Sequence, residues 1–142
     1  MLSYDGKIIG ADGLSVGEFW RWAYSDILSN RNRAIFAEFL VASALGQVDS
    51  PRVEWDAVDV YYKDIKIEVK SAAYLQSWEQ KELSPIRFDI AKKKPWYAKT
   101  NTYADEEVRA SDVYVFCLFG EKDKGKADVL NVGQWQFFYC CN

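Results

Sequence analysis

The stretch Val58-Asp59-Val60-Tyr61-Tyr62-Lys63-Asp64-Ile65-Lys66-Ile67-Glu68-Val69-Lys70-Ser71 decides the fold, because apolar and polar side chains alternate on both sides of Lys63-Asp64. A period of two marks half-buried strands, so Val53 to Tyr62 and Ile65 to Ser71 read as the arms of a hairpin. A two-residue loop at Lys63-Asp64 sets Tyr62 opposite Ile65, Val60 opposite Ile67 and Asp59 opposite Glu68. Lys-Asp is not the favoured Asn-Gly turn, so the loop itself fixes this register only weakly. One face then carries Val58, Val60, Tyr62, Ile65, Ile67 and Val69 and calls for a covering helix. The other gathers Asp59, Tyr61, Lys66, Glu68 and Lys70. Opposed Asp and Glu repel each other, and either a cation or Lys66 and Lys70 alone relieves that repulsion. A hard divalent ion would find ligands in Asp59, Glu68 and the backbone carbonyl of Val69, with Lys70 beside an attacking water. Acids and lysines on a solvated sheet face are the ordinary alternative.

Working outward, Ser15 and Glu18 have capping-box spacing, and Val16 to Leu28 places Val16, Phe19, Ala23 and Ile27 on one helical face. Ser29 to Asn32 supplies a turn and an N-cap, and Arg33 to Leu45 runs as a second helix that Gly46 ends in a left-handed conformation. Glu38 is the only charge between Ala34 and Leu45. A carboxylate on so apolar a helix either lies on its one exposed stripe or must find water, a partner or a metal. Downstream, Tyr74 to Leu83 reads as a short helix stopped by Ser84-Pro85, and Ile86 to Ile90 as a strand. Lys92 to Thr102 reads as a lysine-rich loop, Tyr103 to Ala110 as a helical turn, Val113 to Phe119 as a buried central strand and Gln134 to Cys141 as a last strand. Gly120 to Lys126 is a charged turn or loop. No repeat, linker or low-complexity segment interrupts residues 1–142, so one α/β domain is the economical architecture.

Composition bounds the chemistry. The 142 residues are 49% apolar and 16% aromatic, enough for one sizeable core. No apolar run is long enough to span a membrane and Met1 to Gly13 does not read as a leader, which makes a cytoplasmic home the default. Three cysteines, none in CxxC spacing, read as reduced thiols. The chain has no histidine. That excludes Ser-His-Asp triads, His-ligated zinc and imidazole base catalysis, leaving carboxylates and lysine for hydrolysis and magnesium or manganese as the fitting ion. A net charge of −3 argues against coating nucleic acid by bulk charge, yet allows a local basic groove.

Arg33-Ala34-Ile35-Phe36-Ala37-Glu38-Phe39-Leu40-Val41, then Glu54-Trp55-Asp56-Ala57-Val58-Asp59-Val60, then Ile67-Glu68-Val69-Lys70-Ser71-Ala72-Ala73-Tyr74-Leu75-Gln76, resembles the PD-(D/E)xK nucleases of the restriction-endonuclease-like superfamily. The order of helix glutamate, strand aspartate and Glu-x-Lys strand is the same, and the similarity is strongest over Asn32 to Trp78. The resemblance implies an α/β/α sandwich around a central mixed sheet and a Mg2+-dependent nuclease, with Mn2+ as substitute. Such an enzyme hydrolyses DNA phosphodiesters by in-line attack of a metal-bound water. It further implies Asp59 and Glu68 as metal ligands, Lys70 assisting the nucleophile, and Glu38 as a further ligand or water orienter. The eponymous proline before Asp59 is missing. Asp56 is a rival for the aspartate position, but three residues away it falls on the opposite face of a regular strand, unless a bulge intervenes. Gln76 and Gln80 resemble glutamines that some of these nucleases place near the site; ordinary surface glutamine is the competing reading. The chain stops within the apolar run Phe137 to Cys141, where proteins of this superfamily usually continue, which admits a C-terminally truncated product.

For substrate contact, Lys92, Lys93, Lys94 and Lys99 surround Trp96 and Tyr97, a mixture suited to phosphate contact and base stacking, although a solvated lysine loop has the same composition. DNA is the expected partner. A homodimer is compatible with one site cutting one strand. Two rival functions stand beside the enzyme: an inactive nucleic-acid-binding or interaction module on the same fold, and a structural protein whose acids are surface charges.

Overall fold

A computed structural model describes Met1–Asn142. Helix α1 (Val16–Tyr24) starts at the expected capping box, with Ser15 and Glu18 each bonded to the other's backbone. It ends four residues short of the expected Leu28, where the Ser25 hydroxyl turns back onto the Arg21 carbonyl. The expected apolar face is only partly used, since Phe19 is half exposed. The buried residue is Gly17, whose backbone N–H donates to the Tyr4 carbonyl at 2.8 Å. A Cβ there would press into the Tyr4 ring, so glycine lets that ring lie directly on α1.

Helix α2 (Asn30–Ala44) is capped by Ser29, whose hydroxyl accepts from Asn32 N–H at 3.4 Å. It ends as expected at Gly46, with φ of 68°. Gln47 N–H donates to Ala42 O at 2.8 Å and Gly46 N–H to Ser43 O at 3.1 Å, the paired bonds of a Schellman motif.

The hairpin forms with the expected register over a shorter length. Strand β1 (Val60–Tyr62) pairs antiparallel with β2 (Ile65–Ala73), Val60 against Ile67 and Tyr62 against Ile65. Residues 53–59 are turns and bends in place of the expected strand, and Lys63 takes the left-handed turn position with φ of 55°. Strand β5 (Val113–Phe119) runs parallel to β2, and β6 (Trp135–Cys141) antiparallel to β5, giving a mixed four-stranded sheet in the order β1-β2-β5-β6. The small hairpin β3 (Trp96–Tyr97) and β4 (Thr102–Tyr103) stands apart from it, with the Trp96 and Tyr103 rings 4.7 Å between centroids.

Alternation sorts the sheet into two faces. Val60, Ile67, Val69, Ala73, Cys117, Phe119 and Trp135 close on Ala37 of α2 as one buried cluster, flanked by Phe36, Leu40 and Val41. Ala37 is wholly buried, and its small side chain lets the helix approach the sheet. The opposite face, bearing Glu68, Lys70, Tyr114 and Phe116, has no second helix over it. The irregular chain between β2 and β5 crosses there, with the Phe88 and Phe116 rings 4.9 Å apart. The fold is thus mixed α/β around a central mixed sheet.

Three expected elements are absent. Residues 74–83 are not helical, because the Gln80 side chain bonds the backbone of Gln76, Tyr74 and Glu82 and replaces helical hydrogen bonds with a closed loop. Ile86 to Ile90 lies unpaired across the sheet face. Tyr103 to Ala110 is extended, because Tyr103 pairs with Trp96 and Val108 with Lys93. No helix is long and apolar enough to cross a membrane.

Candidate active site

Asp59 occupies the bend that leads into β1. Its N–H donates to Ile67 O at 3.1 Å, one residue out of step with the ladder that follows. Its Oδ2 accepts from Val69 N–H at 2.7 Å. The carboxylate therefore caps the β2 backbone where β1 has not yet begun. In an extended strand the N–H and C=O of one residue leave by the same edge, so the Val69 carbonyl also points toward Asp59.

Glu68 and Lys70 share the cleft face of β2, and Glu68 Oε1 accepts from Lys70 Nζ at 2.5 Å, both side chains being half-buried. Burial first, then the negative charges of Glu38 and Glu68, push the Asp59 carboxyl up from 3.8 to about 7, against the opposing Val69 N–H and Lys70. Of the four site residues expected from the sequence, Asp59, Glu68 and Lys70 line one cleft and Glu38 does not. Asp59 Oδ1 and Glu68 Oε2 have no protein hydrogen bond.

Asp59, Glu68 and Lys70 line one cleft together with Lys93, Lys94, Trp96, Arg109 and the buried Tyr114. Tyr114 stands in register with Glu68 across the β2–β5 ladder. Burial and then Glu68 raise its phenol above the ordinary range. Glu38 lies on the other side of Asp59, in a neighbouring groove. It is nearly buried, as an apolar helix implies, although Phe39 beside it is half exposed. Its carboxylate is gripped by Arg52, through Nε to Oε2 and through Nη2 to Oε1 at 2.9 Å. The pair raises the Arg52 guanidinium above its usual range. No three acidic or thiol side chains stand together in metal-ligating geometry, and the Glu38 carboxylate is engaged by Arg52.

Asp56 also lines the cleft, with Oδ1 accepting from Ala57 N–H at 2.7 Å. It sits in the bend before β1, so the strand-face argument against it does not apply; what separates the two is that Asp59 interacts with Glu38, Glu68 and Lys70. Lys92 is exposed and does not line the cleft. Gln76 is buried away from it, donating to Ala73 O at 3.1 Å and accepting from Arg33 Nη1 at 3.4 Å. Gln80 is occupied by the loop it closes. All three thiols are free. Burial pushes that of Cys117 up to about 12, which keeps it protonated and unreactive.

Sequence reasoning missed Arg52, Tyr114 and Arg109. A buried Glu38 signals that a partner exists but not which one, because Arg52 reaches it from beyond the end of α2. Tyr114 follows from alternation within Val113–Phe119 once that strand is set parallel to β2.

The sequence pattern of the family described as Bacteriophage T4 endonuclease IV matches residues 21–139, most of the chain. The chain belongs to the bacteriophage T4 endonuclease IV family. The matched span of this endonuclease-IV-family chain contains every residue of the cleft named above. No curated protein and no solved structure gives a match.

Proposed function

We propose that the chain is a divalent-metal-dependent DNA endonuclease of the PD-(D/E)xK type, its mixed sheet being the core of a restriction-endonuclease-like fold. The observation that carries this reading is the convergence of Asp59, Glu68 and Lys70 on one cleft in a chain of an endonuclease family. The residues fit a hard cation. A carboxyl pushed up to about 7 by burial and then by two neighbouring acids gains from a cation placed beside it, and oxygen donors without imidazole suit Mg2+ or Mn2+. Asp59, Glu68 and the Val69 carbonyl are the proposed ligands, with Glu38 a further one only if Arg52 releases it. Bound there, the ion would supply Lewis-acid neutralisation of the phosphate and lower the pKa of water.

The chain's own residues supply the rest. Glu68 Oε1 fixes the Lys70 ammonium, which stabilises the incoming hydroxide and the added negative charge of the pentacovalent phosphate. Val69 N–H holds Asp59 Oδ2, leaving Oδ1 for the reacting region. Lys93 and Lys94 offer positive charge to the DNA backbone, and Trp96 an aromatic surface. One such site cuts one strand, so duplex cleavage calls for two copies or two events.

Arg52's grip on Glu38 favours a second reading, an inactive module that binds nucleic acid without turnover. Incubating plasmid and oligonucleotide DNA with Mg2+, Mn2+ or EDTA separates the two. The nuclease reading expects metal-dependent cutting that falls at least about 100-fold in Lys70→Ala, with the variant still folded. Full activity in that variant, or no cutting by the parent protein with either metal, contradicts it.

A further inference from the structure

We propose that Arg109 grips a phosphate of the bound DNA strand through its two terminal nitrogens, in the cleft that Asp59, Glu68 and Lys70 also line; this rests on the nuclease reading above. Arg109 is exposed in that cleft, and no carboxylate pairs with it, the chain's three ion pairs being Arg52–Glu38, Lys70–Glu68 and Lys126–Asp123. Its Nε donates to the Ile90 carbonyl at 2.9 Å, while Nη1 and Nη2 have no protein partner. The preceding residue is fixed as well: Val108 and Lys93 exchange two backbone hydrogen bonds, of 2.8 and 3.1 Å. The guanidinium is therefore tethered at its inner nitrogen and anchored at its backbone, with the outer fork open.

Among the cleft cations this combination is particular to Arg109. Lys70 is engaged by Glu68, and the ammonium groups of Lys93 and Lys94 have no fixed partner. Arg109 lines the same cleft as Asp59, Glu68, Lys70 and Tyr114, so a strand bound there passes both the guanidinium and the acids. A planar fork with two parallel donors matches the non-bridging oxygens of a phosphodiester, and a pre-held arginine loses little entropy on binding one.

The test compares the parent protein with Arg109→Gln and Arg109→Lys. It measures binding of a fluorescein-labelled oligodeoxynucleotide in Ca2+ over a range of salt, and cleavage in Mg2+. Arg109→Gln is expected to bind roughly tenfold more weakly and to lower the salt slope by about one. Arg109→Lys should restore the slope, because the charge returns, but not the full kcat, because the fork does not. Gln binding with parental affinity and slope overturns the proposal. So do Lys and Gln variants that lose activity equally with the slope unchanged, the signature of a broken Ile90 tether. Absence of cutting by the parent protein defeats the nuclease reading instead, and the binding data still decide whether Arg109 holds phosphate.

Discussion

Asp59 carries a conflict between folding and chemistry. Its carboxyl is raised from 3.8 to about 7, so the metal-free fold prefers the protonated acid. The stability this preference contributes is fully present below about pH 3.8 and is lost as pH rises through about 7. Asp59→Asn keeps an oxygen for the Val69 N–H and removes the buried charge. It is expected to abolish cleavage while stabilising the metal-free protein at pH 8 by on the order of 2–4 kcal/mol, and to flatten its stability between pH 5 and 8. Urea unfolding in EDTA across that range checks both statements. Arg52 presents the converse case. Truncating it to alanine leaves Glu38 nearly buried and unpaired beside Asp59, at a cost of about 1–3 kcal/mol. Glu38→Gln in that background should recover most of the loss, and four chemical denaturation curves close the cycle. Glu68 and Lys70 were legible because alternation along Ile65–Ala73 puts them on one face, whereas Asp59 joins them from the bend before β1. Arg52 and Arg109 were not, since contacts made across loops leave no periodic trace in the sequence.

Among the elements, α2 and β2 hold the site in place from behind. Glu68 and Lys70 point into the cleft because Ile67, Val69 and Ala73 point into the cluster under Ala37. Ala37→Leu should overpack this contact and cost about 1–3 kcal/mol, and Phe119→Ala should cost about 3–5 kcal/mol by opening a cavity. Thermal melts rank the two directly. Elements whose own side chains determine them were readable from sequence: the Ser15–Glu18 box, the Gly46 stop, and the strands at Ile65 and Val113. The chain between β2 and β5 was not. There Gln80 substitutes side-chain bonds for a helix, and the pairing of Lys93 with Val108 spans fifteen residues of sequence that show no shared pattern. Asp59 shows the same limit on a smaller scale: the hairpin register is right from Val60 onward and slips by one residue where Asp59 sits.

Taken as a whole, the molecule gathers basic and aromatic side chains into the same cleft as an acidic pair, within a chain of net charge −3. Binding of the expected ion should couple to folding, because it compensates the burial and the neighbouring negative charges that disfavour the ionised Asp59. At a hundredfold excess over its Kd, Mn2+ is expected to add about 2.7 kcal/mol and to raise Tm by roughly 5–10 °C at pH 8, with no such rise in Asp59→Asn. The most direct measurement is anomalous diffraction at the manganese edge from crystals soaked in Mn2+. The account predicts a peak within coordination distance of both Asp59 and Glu68 carboxylates and of the Val69 carbonyl oxygen. A peak at another site only, or none at saturating Mn2+, would contradict it.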